Sequence, residues 1–183
     1  MITTVHAAAG ASLGCLIKPR KFKKWLLLIT ASLISHVILD SIPHWDYPYQ
    51  YSWILADLAL TVAIIWLIIY LSQIRFPVIV GAAFGAAPDL EHVLVHHGWM
   101  EEQVFISHLP WFPHGELDLP WGLVVQFIFV VLCLWVCFRL RNSTGSFKAS
   151  WSVRGQPDTK KRLFYLPFSK LIALLKPSIS SGS

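Results

Sequence analysis

The sequence predicts an all-α fold, a polytopic membrane helical bundle of about five transmembrane helices. Three observations carry that expectation. Hydrophobic residues make up 55% of the 183 positions, charged residues only 14%, and the mean hydropathy is +0.57, a balance too apolar for an ordinary soluble domain. The apolar positions fall in runs close to the ~20 residues needed to cross a hydrocarbon core. Lys and Arg then gather at the ends of those runs, as they do in cytoplasmic membrane loops. The formal charge of +5 therefore points to a membrane flank. Nucleic acid is not an expected partner, because the basic residues flank apolar runs and do not interleave with aromatics on a polar surface.

The first run, 2–17, is short, lacks a basic leader region and carries His6, so it is read as a retained helix and not a cleaved signal peptide. Lys18, Arg20, Lys21, Lys23 and Lys24 follow as a dense basic loop, which sets the topology on the cytoplasmic side. The second run, 25–42, then travels outward and ends in a Pro- and aromatic-rich segment with Tyr47, Tyr49 and Tyr51 as interface anchors. The third, 53–71, returns to a turn with Arg75 and Pro77, and the fourth, 77–97, goes outward again into an outer segment over 98–118. The fifth, 119–138, ends at Arg139 and Arg141, which places the N-terminus outside and the C-terminus in the cytoplasm of a multi-pass cell-membrane protein. The expected organisation is a helical domain over 1–141, with a polar site on its extracytoplasmic side, and a basic cytoplasmic tail over 142–183. In that tail the stretch 162–176, broken by Pro167, is too short to span and is read as interfacial or disordered.

Two details bear on packing. Gly10 and Gly14, and likewise Gly81 and Gly85, are four residues apart, so each pair opens one helix face to close backbone approach and suggests that the first and fourth helices meet in the interior. Cys15, Cys133 and Cys137 all lie in apolar runs, so buried thiols are expected in place of a disulfide framework.

The chemistry lies in the polar residues. With topology drawn from Lys and Arg alone, all eight histidines fall on the outer side: His6, His36, His44, His92, His96, His97, His108 and His114. Ionisable groups inside apolar spans cost several kcal/mol unless paired, roughly the scale at which they mark function. His36 and Asp40, four apart, share one helix face, and Pro43 then breaks the helix before His44. Asp89, His92 and His96 fall at i, i+3 and i+7 on one face of the fourth helix, while Glu91 joins them only if Pro88 distorts it. Imidazoles and carboxylates converging from several helices suit a divalent ion, zinc first and manganese or iron as alternatives, with a position left open for water. The candidate metal ligands are His6, His36, Asp40, His44, Asp89, His92, His96 and His108, and the candidate proton acceptors are Asp40 and Glu91. Several positions keep two readings. His6 is either a ligand or a hydrogen-bonded helix residue, Asp57 either a helix cap or a site residue, and His114 with Glu116 either a loop contact or a late ligand pair. Trp99, Trp111 and Trp121 read as interface anchors, and Glu101, Glu102 and Asp118 as solvated charges.

These residues resemble a known group. Thr4-Val5-His6 before a small-residue helix, Ala87-Pro88-Asp89-Leu90-Glu91-His92, and the later His97 and His108 are similar to elements of the membrane-bound metal-dependent hydrolases of the YdjM type, over roughly residues 1 to 138. The resemblance implies His6, Asp89, Glu91, His92 and His108 as metal-site residues, although Glu91 stands where that pattern has Asp. The segment from Ser35-His36 through Asp40 to Pro43-His44 also resembles a His-x3-Asp element in membrane relatives of zinc-dependent phospholipase C. The expected activity is hydrolysis of a lipid or lipid-linked phosphoester or ester at the outer membrane surface. The alternative is a transporter or carrier of metal ions or protons.

Overall fold

The computed structural model describes residues 2–46, 50–113 and 115–151, with the backbone alone over 142–151. Expectations that fall on Tyr47, Tyr49, His114 and the tail segment 162–176 lie outside the described residues. Among the described residues there are five α-helices and no strand: α1 Thr3–Ile17, α2 Phe22–Asp40, α3 Tyr51–Ser72, α4 Phe76–His96 and α5 Trp121–Trp151, with a single 3-10 turn, Ile106–His108, between α4 and α5. The chain divides into one compact unit over Met1–Ser146 and a second over Phe147–Ser183. Helix α5 runs on from Arg141 to Trp151, so the first ten residues expected of a tail continue the last helix.

Helices α2, α3, α4 and the portion Trp121–Arg141 of α5 are long and apolar enough to cross a membrane. Helix α1 has 15 residues, about 22 Å at 1.5 Å per residue, and is short of the ~30 Å hydrocarbon core. Of the about five expected spans, four are span-length helices and the first, already short in the sequence, is a shorter helix among them. The reason is burial. Ten of its residues are buried, so α1 offers little surface to lipid and is not required to match its thickness. The four longer helices do the opposite: Leu55, Leu58, Val62 and Trp66 of α3 and Phe127, Ile128, Val131 and Trp135 of α5 are exposed, an apolar exterior that suits hydrocarbon and not water.

The seam between α1 and α4 is where small residues are indispensable. Gly10 meets Gly81, Gly14 meets Pro77 and Gly85 meets the His6 carbonyl, so the two helices run antiparallel. A Cβ on Gly10 would stand 2.0 Å from Gly81 O, and one on Gly81 would stand 2.1 Å from Gly10 O; only glycine permits this approach. Below the seam lies an apolar cluster of Ala7, Ala8, Ala11, Cys15, Ile68, Val78, Ala82 and Cys137. Cys15 and Cys137 are free, buried thiols, 3.2 Å apart between α1 and α5.

The N-terminus of α1 has no cap of its own. Asp57, from the interior of α3, supplies it: Thr3 N–H donates to Oδ2 at 2.9 Å and Thr4 N–H to Oδ1 at 3.2 Å, while the Thr4 hydroxyl donates to Asp57 Oδ1 at 2.5 Å. Asp57 is therefore a cap, but for a neighbouring helix. Gln126 of α5 closes the same end, accepting Ile2 N–H at 3.2 Å and donating to Trp45 O at 2.6 Å. These pairings, together with the antiparallel α1–α4 seam, bring the start of α1, the end of α2, the starts of α3 and α5 and the end of α4 to one end of the bundle.

Candidate metal centre

At that end, three helices and the 3-10 turn deliver five side chains to one point. His6 comes from α1, His36 and Asp40 from the last turns of α2, Asp89 from α4 and His108 from the turn. Ligand atoms of His6, His36 and Asp89 lie within 4.8 Å of one another, as do those of His36, Asp40 and His108. The separations are His6 Nε2 to Asp40 Oδ1 3.0 Å, His36 Nε2 to Asp40 Oδ2 3.0 Å, His108 Nε2 to Asp40 Oδ2 3.7 Å and His36 Nε2 to Asp89 Oδ1 3.8 Å. His36 Nε2 and His108 Nε2 are 3.4 Å apart. Four ligands bonded at 2.0–2.1 Å in a tetrahedron stand about 3.3 Å from each other, so separations of 3.0–3.8 Å are of the size that one shared ion would require.

Hydrogen bonding on the far side of each ring sets which nitrogen faces inward. His36 Nδ1 is 2.8 Å from Gly85 O and His108 Nδ1 is 3.1 Å from Glu91 Oε2. A carbonyl and a carboxylate can only accept, so both Nδ1 atoms carry the proton and, in the neutral rings, both Nε2 atoms present lone pairs. Those lone pairs meet each other and the Asp40 carboxylate. Burial pushes the His108 imidazole below its ordinary value of 6.5, against the opposing pull of Glu91, which leaves it neutral at pH 7. His6 Nδ1 and Nε2, Asp40 Oδ2 and Asp89 Oδ2 are buried with no hydrogen bond among the described residues, although His6 and His36 sit close to Asp40. A neutral His6 can donate one N–H to Asp40 at 3.0 Å, but the lone pairs of His36 and His108 and Asp89 Oδ2 still converge. Buried acceptors left without a donor cost on the order of 1–3 kcal/mol each unless a cation stands among them. Three imidazoles and the Asp40 carboxylate, with Asp89 beside them, are a donor set that fits a zinc, manganese or iron ion.

The other expected residues fall around this centre in distinct places. Glu91 is buried, and its carboxylate accepts from Val104 N–H, from Phe105 N–H at 3.0 Å and from His108. Its oxygens are thereby occupied in orienting the loop and His108. Pro88 lies within α4, yet the helix is continuous, so Glu91 reaches the site from the flank by way of His108. His92 packs against His108 with ring centroids 3.9 Å apart and the planes tilted by 42°, and takes a 2.6 Å contact from Gln103 Nε2 on its Nδ1. His96, exposed at the end of α4, packs its ring near His97, which neighbours Trp99. His44 is buried after Pro43: its Nδ1 donates to Ile42 O at 2.6 Å, its Nε2 is 3.2 Å from Asp46 Oδ1, and its backbone bridges Glu116. None of His44, His92 and His96 belongs to the two close ligand groups.

A half-open cavity of about 420 Å³ reaches this centre, with Asp40, Asp89 and His108 in its wall. Sequence reasoning did not single out Gln126, Thr61 or Gln103, all polar residues in or beside apolar runs and findable by that criterion alone. No known family, curated protein or solved structure matches the chain.

Proposed function

We propose that this chain is an integral membrane hydrolase that uses a divalent metal ion, zinc foremost, on a lipid or lipid-linked phosphoester or ester at the membrane surface, as its resemblance to the YdjM-type hydrolases implies. The observation that carries the reading is the pair of imidazole Nε2 lone pairs of His36 and His108, turned by Gly85 O and Glu91 toward a carboxylate that can only accept. His6, His36, Asp40 and His108 hold the ion. When bound, such an ion acidifies a water molecule and polarises the oxygen under attack. Asp89, whose Oδ2 lacks a donor at the cavity wall, would serve as the proton acceptor for a water held there and would return that proton to the leaving oxygen. Glu91 keeps His108 in its donating tautomer. The positive flanks place the ends with Lys18–Lys24 and Arg139 in the cytoplasm, and the site outside.

A carrier of ions or protons needs polar groups continuing from the site to the opposite face. The apolar cluster beyond the α1–α4 seam, from Ala7 to Cys137, weighs against that alternative. The test is elemental analysis of the protein purified in detergent. Wild type retains about one equivalent of zinc or manganese, and His36→Ala and Asp40→Ala do not. Folded wild type that stays metal-free after either ion is supplied sinks the proposal. Asp89→Asn keeps the metal and loses hydrolysis of a panel of phospholipids, lipid phosphates and esters by 100-fold or more, the scale of a proton-transfer group.

A further inference from the structure

Beside His108 in the 3-10 turn, Ser107 stands in the cavity wall with Asp40, Asp89 and His92. It is 3% exposed, and its Oγ is buried with no hydrogen bond among the described residues. A hydroxyl carries one donor and two acceptor positions, and a buried one left without a partner is costly enough that it calls for an explanation. Its position is not a matter of slack chain. Val104 and Phe105 N–H donate to Glu91, His108 N–H donates to Phe105 O at 2.9 Å, and His108 Nδ1 donates to Glu91 Oε2 at 3.1 Å. The segment is therefore pinned on both sides of Ser107, and the hydroxyl is held in place by bonds other than its own.

Asp40 and Asp89 line the same cavity, yet Ser107 Oγ bonds neither, and Asp40 Oδ2 and Asp89 Oδ2 are themselves buried without a donor. A donor without an acceptor and acceptors without a donor thus border one space of about 420 Å³. A serine nucleophile needs a base within hydrogen-bond reach to take its proton. No imidazole or carboxylate of the described residues bonds Ser107 Oγ, so the hydroxyl is placed to donate and not to attack. We propose that Ser107 is an oxyanion donor, its Oγ–H holding one oxygen of a phosphoryl or carboxyl group whose second oxygen lies at the centre formed by His36, Asp40 and His108. A fixed donor of this kind stabilises charge as it develops on the group under attack. The assignment adds a substrate-binding residue to the hydrolase reading and rests on that reading for the ion and the reaction.

Because the fold makes no use of the hydroxyl, Ser107→Ala is expected to keep the zinc content of wild type and a thermal midpoint no lower than its own, both measured on the full-length protein in neutral maltoside micelles. Hexylphosphonate and hexanoate are then titrated calorimetrically into the zinc-loaded protein, with empty micelles as the blank. Wild type is expected to bind them, and Ser107→Ala to weaken the tighter of the two by about tenfold or more, the scale of a hydrogen bond to a charged acceptor. Tighter binding of the phosphonate assigns the site to phosphoesters, and of the carboxylate to carboxylic esters. Ser32→Ala is the control, since it removes the other buried serine hydroxyl without a partner among the described residues, in α2 and outside the cavity wall, and leaves both affinities unchanged. Zinc-loaded wild type that binds neither probe overturns the inference, as does an equal loss of affinity in Ser32→Ala. A fall in thermal midpoint that accompanies the loss of affinity in Ser107→Ala assigns the hydroxyl to the fold and overturns it too. Wild type that takes up no zinc or manganese removes the hydrolase reading and the inference with it; zinc-loaded protein whose Ser107→Ala variant binds as wild type does removes the inference alone.

Discussion

At the scale of single residues, the centre depends on what stands behind its imidazoles. Gly85 O and Glu91 hold the Nδ1 protons of His36 and His108, and a backbone carbonyl cannot be mutated away, so Glu91 is the accessible lever. Glu91→Gln is expected to lower metal affinity about 10- to 100-fold, the range found for partners behind metal-bound histidines, measured by competition with a chromogenic chelator. Unchanged affinity with an intact fold would remove Glu91 from the site. Its placement was half legible. The sequence puts Glu91 beside Asp89 and His92, and helical periodicity turns it off their face. That Val104, Phe105 and His108 fold back to meet it there is a loop geometry with no sequence signature. His44 shows the same limit, since Pro43 ends the helix in plain sight while the bridge to Glu116 joins segments 72 positions apart (116 − 44).

At the scale of elements, α1 is held by backbone proximity to α4 and by caps borrowed from α3 and α5. Gly81→Ala is expected to destabilise the protein by about 2–4 kcal/mol, the cost of overpacking a tight core and displacing backbone, because its Cβ would stand 2.1 Å from Gly10 O. Ala83→Leu, on the exposed side of the same helix, is the control and shifts the thermal midpoint little. Equal midpoints for both variants would contradict the seam. The glycine spacing announced this contact correctly, since small residues four apart have few other uses on an apolar helix. The length of α1 was the weaker inference, because hydropathy reports what a segment is willing to bury and not whether lipid or protein covers it.

At the scale of the whole molecule, charge is separated along the bundle. The described carboxylates and histidines gather at the site end, and Lys18, Arg20, Lys21, Lys23, Lys24, Arg75, Arg139 and Arg141 at the other. This arrangement predicts an orientation. A cysteine introduced as Glu101→Cys is expected to react with a membrane-impermeant maleimide in intact cells, and one introduced as Lys21→Cys only after the cells are opened. The reverse pattern would invert the topology. Of the native thiols Cys15 and Cys137 are buried and Cys133 is half-buried within the apolar run of α5, so a variant with Cys133→Ser serves as the background for both labels.

The amino-acid sequence by itself determined the helical membrane class, the α1–α4 contact and the sidedness of the polar groups, because each follows from local composition and spacing that any packing must respect. Tertiary structure alone decided which histidines share a centre. His6, His36 and His108 meet because three helix ends and a loop turn converge there, whereas His44, His92 and His96, equal to them in kind and in sidedness, are drawn to Ile42, Gln103 and His97. Coordination is a matter of ångströms between segments far apart in the chain, and that distance is set only when the helices pack.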